Sequence, residues 1–213
     1  MKKTFLLLTL LLPSLNLLAE PNAQDLKILK LYRGGKLVGR WHTTRGLDSG
    51  ETADLSGADL KGLKLSGADL TRAELVSANL SQAKLQFANL SQANLQFANL
   101  KEANLLFANL TRAELVSANL TGAILEGANL TGANLKEANL TGANLKEANL
   151  EGANFSGADL TGANLRRTNL KEATCDSSTK FPSSHFVTCT DNKVANRPAP
   201  TTKSQVDTLK SAE

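Results

Sequence analysis

From Ala53 to Leu170 the chain places a leucine at every fifth residue and an alanine two residues before it. The first units read Ala53-Asp54-Leu55-Ser56-Gly57 and Ala58-Asp59-Leu60-Lys61-Gly62, and the run closes on Thr168-Asn169-Leu170. Among the twenty-four unit centres only Phe155 is not leucine, and at the position two before them only Leu63 and Thr168 are not alanine. A straight α-helix turns about 100° per residue, so a step of five turns about 500° and smears the leucines around the whole cylinder. In a straight strand an odd step sends successive leucines to opposite faces. The remaining solution is a chain that turns a corner at every unit, so that each leucine points back at one internal axis and successive coils pair their backbones.

The residue before each centre is Asn in fifteen units and Asp in four. Short carbonyl-bearing side chains bond nearby backbone at corners, and stacked Asn forms ladders between coils, so these residues are expected to be scaffold and not catalytic acids. The same bias produces six Asn-Leu-Ser/Thr triplets, from Asn79 to Asn139, which are read as by-products of the repeat and not as glycosylation sites.

These units resemble the pentapeptide-repeat proteins, whose repeat is approximately Ala-(Asn/Asp)-Leu-x-x. The resemblance covers 118 of the 213 residues. It implies an all-β fold, a right-handed quadrilateral β-helix over residues 53–174 with four units per coil and about six coils. At about 4.8 Å per coil the rod would be roughly 29 Å long.

Flanking segments complete the organisation. Met1, Lys2 and Lys3 precede the apolar run Phe5 to Leu12, and a small residue, Ala19, stands before Glu20, so residues 1–19 are expected to be a secretory signal peptide of bacterial type, cut after Ala19. That places the mature chain in a periplasm, a comparable lumen or the medium, with no transmembrane segment. Residues 20–52 form an N-terminal cap segment in which Asn22 to Arg33 is expected as a short helix ended by Gly34-Gly35, with Trp41 and Leu47 packed on the first coil. Residues 175–189 form the C-terminal cap, with Phe181 and Phe186 as plugs. Cys175 and Cys189 are the only cysteines and lie 14 apart in a chain read as exported, so a disulfide pinning the cap is expected. The tail 190–213, with Pro198, Pro200 and many Thr and Lys, reads as disordered.

Composition then limits the function. Aromatic residues make up 4% of the chain, so the core rests on Leu and Ala. Residues 20–50 carry six basic and three acidic residues, whereas residues 51–175 carry eleven basic and thirteen acidic, so the rod is nearly neutral. A nucleic-acid binder needs a concentrated basic stripe and a nucleic-acid mimic a strongly acidic one, and neither is present. Some pentapeptide-repeat proteins protect DNA gyrase by resembling DNA, which leaves a DNA-mimic inhibitor or protector of a topoisomerase-like target as the alternative reading. The chain has no phosphate-binding glycine loop and no zinc-protease motif, and its two histidines, His42 and His185, lie beyond opposite ends of the repeat. No catalytic residue, cofactor or metal is therefore expected.

Sorting outward residues by four-unit coils gives the better lead. The side centred on 65, 85, 105, 125, 145 and 165 carries Phe87, Leu106, Phe107 and Ile124 at normally polar places. The opposite side carries Val76, Phe97 and Val116. These seven are the candidate partner-binding residues, and the leading expectation is a non-enzymatic exported scaffold that binds a protein or envelope partner, with a homo-oligomer left open. The competing reading is that outward Phe stabilises the stack. Thr71 to Leu80 recurs identically as Thr111 to Leu120, so duplication also accounts for some of these residues.

Overall fold

The computed structural model describes residues 54–183 and 187–196, together with the short paired segments Tyr32–Arg33 (β1) and Lys36–Leu37 (β2). From Asp54 onward the chain coils with a register of twenty residues: Asp54 bridges Glu74, Glu74 bridges Asn94, and the parallel pairing runs unbroken to Asn154 and Thr174. Twenty residues are four units, so the coil is four-sided. Three backbone hydrogen bonds between coils recur in each unit, such as Leu75 N–H to the Asn94 carbonyl at 2.7 Å, Ser77 N–H to the Gln96 carbonyl at 2.8 Å and Asn94 N–H to the Ala73 carbonyl at 2.9 Å. The backbone polar groups are thereby paired between coils, as a buried chain requires.

Each corner is a tight turn. The residue three after every centre returns its N–H to the centre's carbonyl, for example Ala98 to Leu95 at 3.0 Å. The residue two after every centre has φ between +54° and +71°, the signature of a type II turn. Glycine fills ten of these left-handed positions and other residues fill fourteen. A side chain there costs about 1 kcal/mol against glycine, a cost the stack offsets inside.

That interior is a column of leucine and alanine. From Ala68 through Leu160 every centre and every residue two before it is at most 2% exposed, Phe155 included. A corner coil leaves room for one large and one small side chain per side, and a fully buried Leu contributes about 1.5–3 kcal/mol. The Asn positions behave as expected of scaffold. Asn109 Nδ2 donates to Asn89 Oδ1 at 3.1 Å and Asn169 Nδ2 to Asn149 Oδ1 at 2.9 Å, while the Oδ1 atoms accept backbone N–H groups two residues on, such as Thr111 N to Asn109 Oδ1 at 3.1 Å. In four of the triplets the hydroxyl is turned inward on its own Asn, as with Thr121 Oγ1 donating to Asn119 Oδ1 at 2.6 Å.

At the C-terminal end the repeat gains one residue: Asp159 pairs with Lys180, a register of twenty-one. The Asp176 carboxylate organises the enlarged corner. Its Oδ1 accepts from Gly157 N at 3.1 Å, Ser178 N at 2.9 Å and Ser178 Oγ at 2.6 Å. The Ser178 hydroxyl, with the Gly157 and Ser178 amides, holds the carboxyl down to about 2 against the opposing effect of desolvation. A folded value below the unfolded carboxyl, about 3.9, stabilises the cap above that pH and is lost as pH falls towards 2. Asp176→Asn is therefore expected to speed proteolysis of the C-terminal cap at neutral pH, with the difference from the native protein closing between about pH 4 and pH 2.

The cap itself is an antiparallel hairpin of Val187–Thr190 (β3) and Lys193–Asn196 (β4). Thr174 pairs antiparallel with Lys193, and Val194 N–H donates to the Ala173 carbonyl at 3.0 Å, so the hairpin covers an edge of the last coil. Cys175, buried at an inward position, is bonded to Cys189 with a Cα–Cα distance of 5.9 Å. Phe181 packs against the core as expected of a plug.

Two expectations are corrected. Lys193–Asn196 is strand where the sequence reading began a disordered tail at residue 190, because Val194 and the disulfide tie that segment to the core. Tyr32–Arg33, taken as the end of a helix, is a strand paired antiparallel with Lys36–Leu37. The register Arg33↔Lys36 leaves Gly34-Gly35 as a two-residue connection, a hairpin signal that outweighs helix termination when residues on both sides can pair. The expected signal peptide 1–19 with its cut after Ala19, the rest of the cap helix, Trp41, Leu47, His42, His185, Phe186 and the tail beyond 196 lie outside the described residues.

Candidate functional site

The turn geometry decides what the outward residues can do. At each corner the two residues after a centre project away from the column, and the register stacks them every twenty residues. Phe87, Phe97 and Phe107 all occupy the left-handed position, at φ 58°, 58° and 54°, and are 65%, 60% and 54% exposed. The other residues that fill this position along the repeat are glycine or polar. Ile124, beside its centre, is 39% exposed, and Leu106, Val76 and Val116 are half-buried. The structure thus brings Phe87, Leu106, Phe107 and Ile124 onto one side and Val76, Phe97 and Val116 onto the opposite one.

The two sides differ in what their aromatics touch. Phe87 and Phe107 stack with centroids 5.6 Å apart and planes at 21°, and a methyl group added at Gly127, one coil on, would collide with the Phe107 ring. Part of that apolar surface therefore serves the stack itself, by about 0.5–1.5 kcal/mol for an aromatic pair. Phe97 is different. Its column neighbours are Ser77 and Ser117, and among the described residues it has no ring partner. A bulky residue in a left-handed conformation, mostly exposed and unstacked, is not explained by rod stability.

Charge is sorted on the same two sides. On the Phe87 side the ion pairs of Lys146 with Glu126 at 2.7 Å and of Arg167 with Glu147 at 3.3 Å cancel one another. The pair with Lys146 and the Asn144 amide lowers the Glu126 carboxyl, keeping it ionised. Lys64, Lys84 and Arg166 then have no ion pair among the described residues. On the Phe97 side Lys136 pairs with Glu137 at 3.5 Å, leaving Asp54, Glu74 and Glu114 without a cation among the described residues. Glu74 and Glu114 are held outward by Asn94 and Asn134 amides, each at 2.8 Å. Sequence reasoning found the apolar residues of both sides but missed this segregation, because it summed charge over the rod. Sorting the Lys, Asp and Glu by the same twenty-residue period would have shown it.

Among the described residues no group of three or more His, Cys, Asp or Glu is placed to hold a metal ion, and no helix is long and apolar enough to cross a membrane. Both cysteines are in the disulfide.

The stacked, four-sided coil with inward Leu and Ala defines a β-solenoid protein. A family model described as pentapeptide repeats matches eight copies over residues 53–86, 88–127, 113–152 and 148–178, more than half of the chain, and the protein belongs to that family. Solved structures with similarity include the pentapeptide repeat protein Rfr23 from the cyanobacterium Cyanothece 51142, 36% identical over 58% of this chain and 90% of that one, with a TM-score of 0.41. A pentapeptide repeat protein of the Arabidopsis thaliana thylakoid lumen is 34% identical over 47% of this chain and 70% of that one, at a TM-score of 0.46. QnrB1, a plasmid-mediated fluoroquinolone resistance protein, is 20% identical over 58% of this chain and 78% of its own, at 0.31. The search of curated proteins found no significant match.

Proposed function

We propose that this protein is a non-enzymatic, exported interaction scaffold, a right-handed rod of six coils that binds a protein of the envelope or of a comparable lumen through its sides. The observation that carries this reading is the confinement of outward apolar side chains to two opposite sides, with Phe97 exposed and unstacked. The remaining two sides present Ser, Thr, Gln, Gly and charges. Large exposed apolar groups that do not serve the fold mark a contact surface. The charged amino terminus followed by the apolar run to Leu12 supports export, and a disulfide fits an oxidising compartment. Nucleic-acid mimicry needs a continuous acidic surface, whereas the Phe87 side carries Lys64, Lys84 and Arg166 without an ion pair among the described residues.

The test is crosslinking in cells after fractionation. The protein is expected in the exported fraction with an intact mass lacking the first nineteen residues, and to be crosslinked to a protein partner. The variant Phe87→Ser, Leu106→Thr, Phe107→Ser is expected to keep its circular dichroism and lose that adduct. Retention of the full-length chain in the cytoplasm would remove the export reading, and an unchanged adduct would remove the binding role of this side.

A further inference from the structure

We infer that the partner of these two sides is a second copy of this chain, and that copies associate side by side, the Phe97 side of one rod against the Phe87 and Phe107 side of the next. This rests on the interaction reading above and specifies its partner. Three observations converge on it.

The first is position along the axis. Val76, Phe97 and Val116 lie in the second, third and fourth turns of the coil, and Phe87, Leu106, Phe107 and Ile124 occupy the same three turns on the opposite side. A copy shifted sideways without rotation therefore places both apolar groups in one interface at the same height, Phe97 along one edge and Phe87 and Phe107 along the other, because each follows its centre at a corner while Ile124 stands mid-side. The second is charge. Asp54 and Glu74 stand in the first two turns of one side, and Lys64 and Lys84 stand in the first two turns of the other. The same sideways shift sets two unpaired carboxylates at the height of two unpaired ammonium groups, beside the apolar patch. The third is that each side alone is poorly suited to meet its own copy. A contact of the Phe87 side with itself gathers Lys64, Lys84 and Arg166 from both copies, and a contact of the Phe97 side with itself gathers Asp54, Glu74 and Glu114 from both. Like charges across an interface oppose such symmetric dimers and favour the unlike pairing.

A contact between two different sides of the same molecule is heterologous. Each bound copy leaves one free side of each kind, so association proceeds to open rows and does not stop at a dimer. The flat sides of a four-cornered coil suit this, since the twenty-residue register gives both sides the same axial spacing.

Sedimentation velocity of the purified protein over a concentration series tests the inference with two paired variants. The first, Glu74→Lys with Phe97→Ser, spoils one side; the second, Lys84→Glu with Phe107→Ser, spoils the other. The native protein is expected to form species larger than a dimer as concentration rises, and to lose them as salt is raised from about 0.05 to 0.5 M. Each variant alone is expected to sediment as a monomer. Their equimolar mixture is expected to form a dimer and nothing larger, because only the intact Phe107 side of the first and the intact Phe97 side of the second remain. Formation of that dimer also shows that both variants are folded. A native protein that stays monomeric throughout overturns the inference, as does assembly lost in only one variant, in neither, or not recovered in the mixture. If the native protein is monomeric and yet yields the side-dependent adduct of the crosslinking experiment, the interaction reading stands and only the identity of the partner falls. If both results are negative, both fall.

Discussion

Leu115→Ala is expected to lower the stability of the rod by about 4 kcal/mol. Leu115 is fully buried in the middle of the column, with Leu95 one coil before it and Leu135 one coil after, all at 0% exposure. Backbone pairing on both sides, Leu115 N–H to the Asn134 carbonyl at 2.8 Å and Asn134 N–H to the Ala113 carbonyl at 3.0 Å, prevents the coils from closing on the space left behind. The cost therefore includes a cavity as well as the lost transfer of the side chain. The same change at Leu60, in the first turn and 7% exposed, is expected to cost about half as much, because an end turn can relax. Urea unfolding followed by far-ultraviolet circular dichroism measures both. Equal costs at the two positions would mean that the stack does not behave as a column with a constrained middle and looser ends.

Removing the disulfide by Cys175→Ala with Cys189→Ala is expected to cost about 3 kcal/mol, the value for a closed loop of about fifteen residues. The loss should be confined to the C-terminal end. In a solenoid each coil contacts only its neighbours, so the hairpin β3–β4 is released while the middle turns keep their pairing. Among the described residues the cap is then held by the Thr174 to Lys193 pairing, the backbone bonds from Val194 N–H to the Ala173 carbonyl and from residue 175 N–H to the Asn192 carbonyl, and contacts of Val187 and Val194 with the core. Limited proteolysis should cut the variant first within or just before the hairpin, leaving a fragment that retains the repeats. Cleavage at the native rate would assign the cap to its hydrogen bonds and apolar contacts alone.

The relation between sequence and structure differs from one part of the molecule to another. The column was readable because a strict period of five has one geometric solution, and Leu with Ala two residues before it specifies the inward pair directly. The Asn ladders were readable for the same reason, since one residue type recurs at one place in the unit. The seven outward apolar residues were found by adding the four-unit coil to that period. The left-handed corner was not found. Glycine fills only ten of the twenty-four positions, and the Ser, Gln, Glu, Arg and Phe at the others hide the requirement. The hairpins escape the sequence for two reasons: at Tyr32–Arg33, beside Gly34-Gly35, helix and strand signals compete, whereas Lys193–Asn196 lies in a polar stretch that reads as disordered tail.

By itself, then, the sequence determined the repeating unit, the contents of the column, the cysteine pair and the absence of any familiar catalytic motif. All of these are local patterns or recurrences at a fixed interval. Only the tertiary structure decided which charges cancel and which stand alone, that Phe87 and Phe107 support each other while Phe97 does not, and that a hairpin closes the last coil. Apart from adjacent pairs such as Lys136 with Glu137, those properties depend on contacts between residues nineteen to twenty-one apart along the chain and on the direction a corner gives its side chains, and neither is set by any one unit.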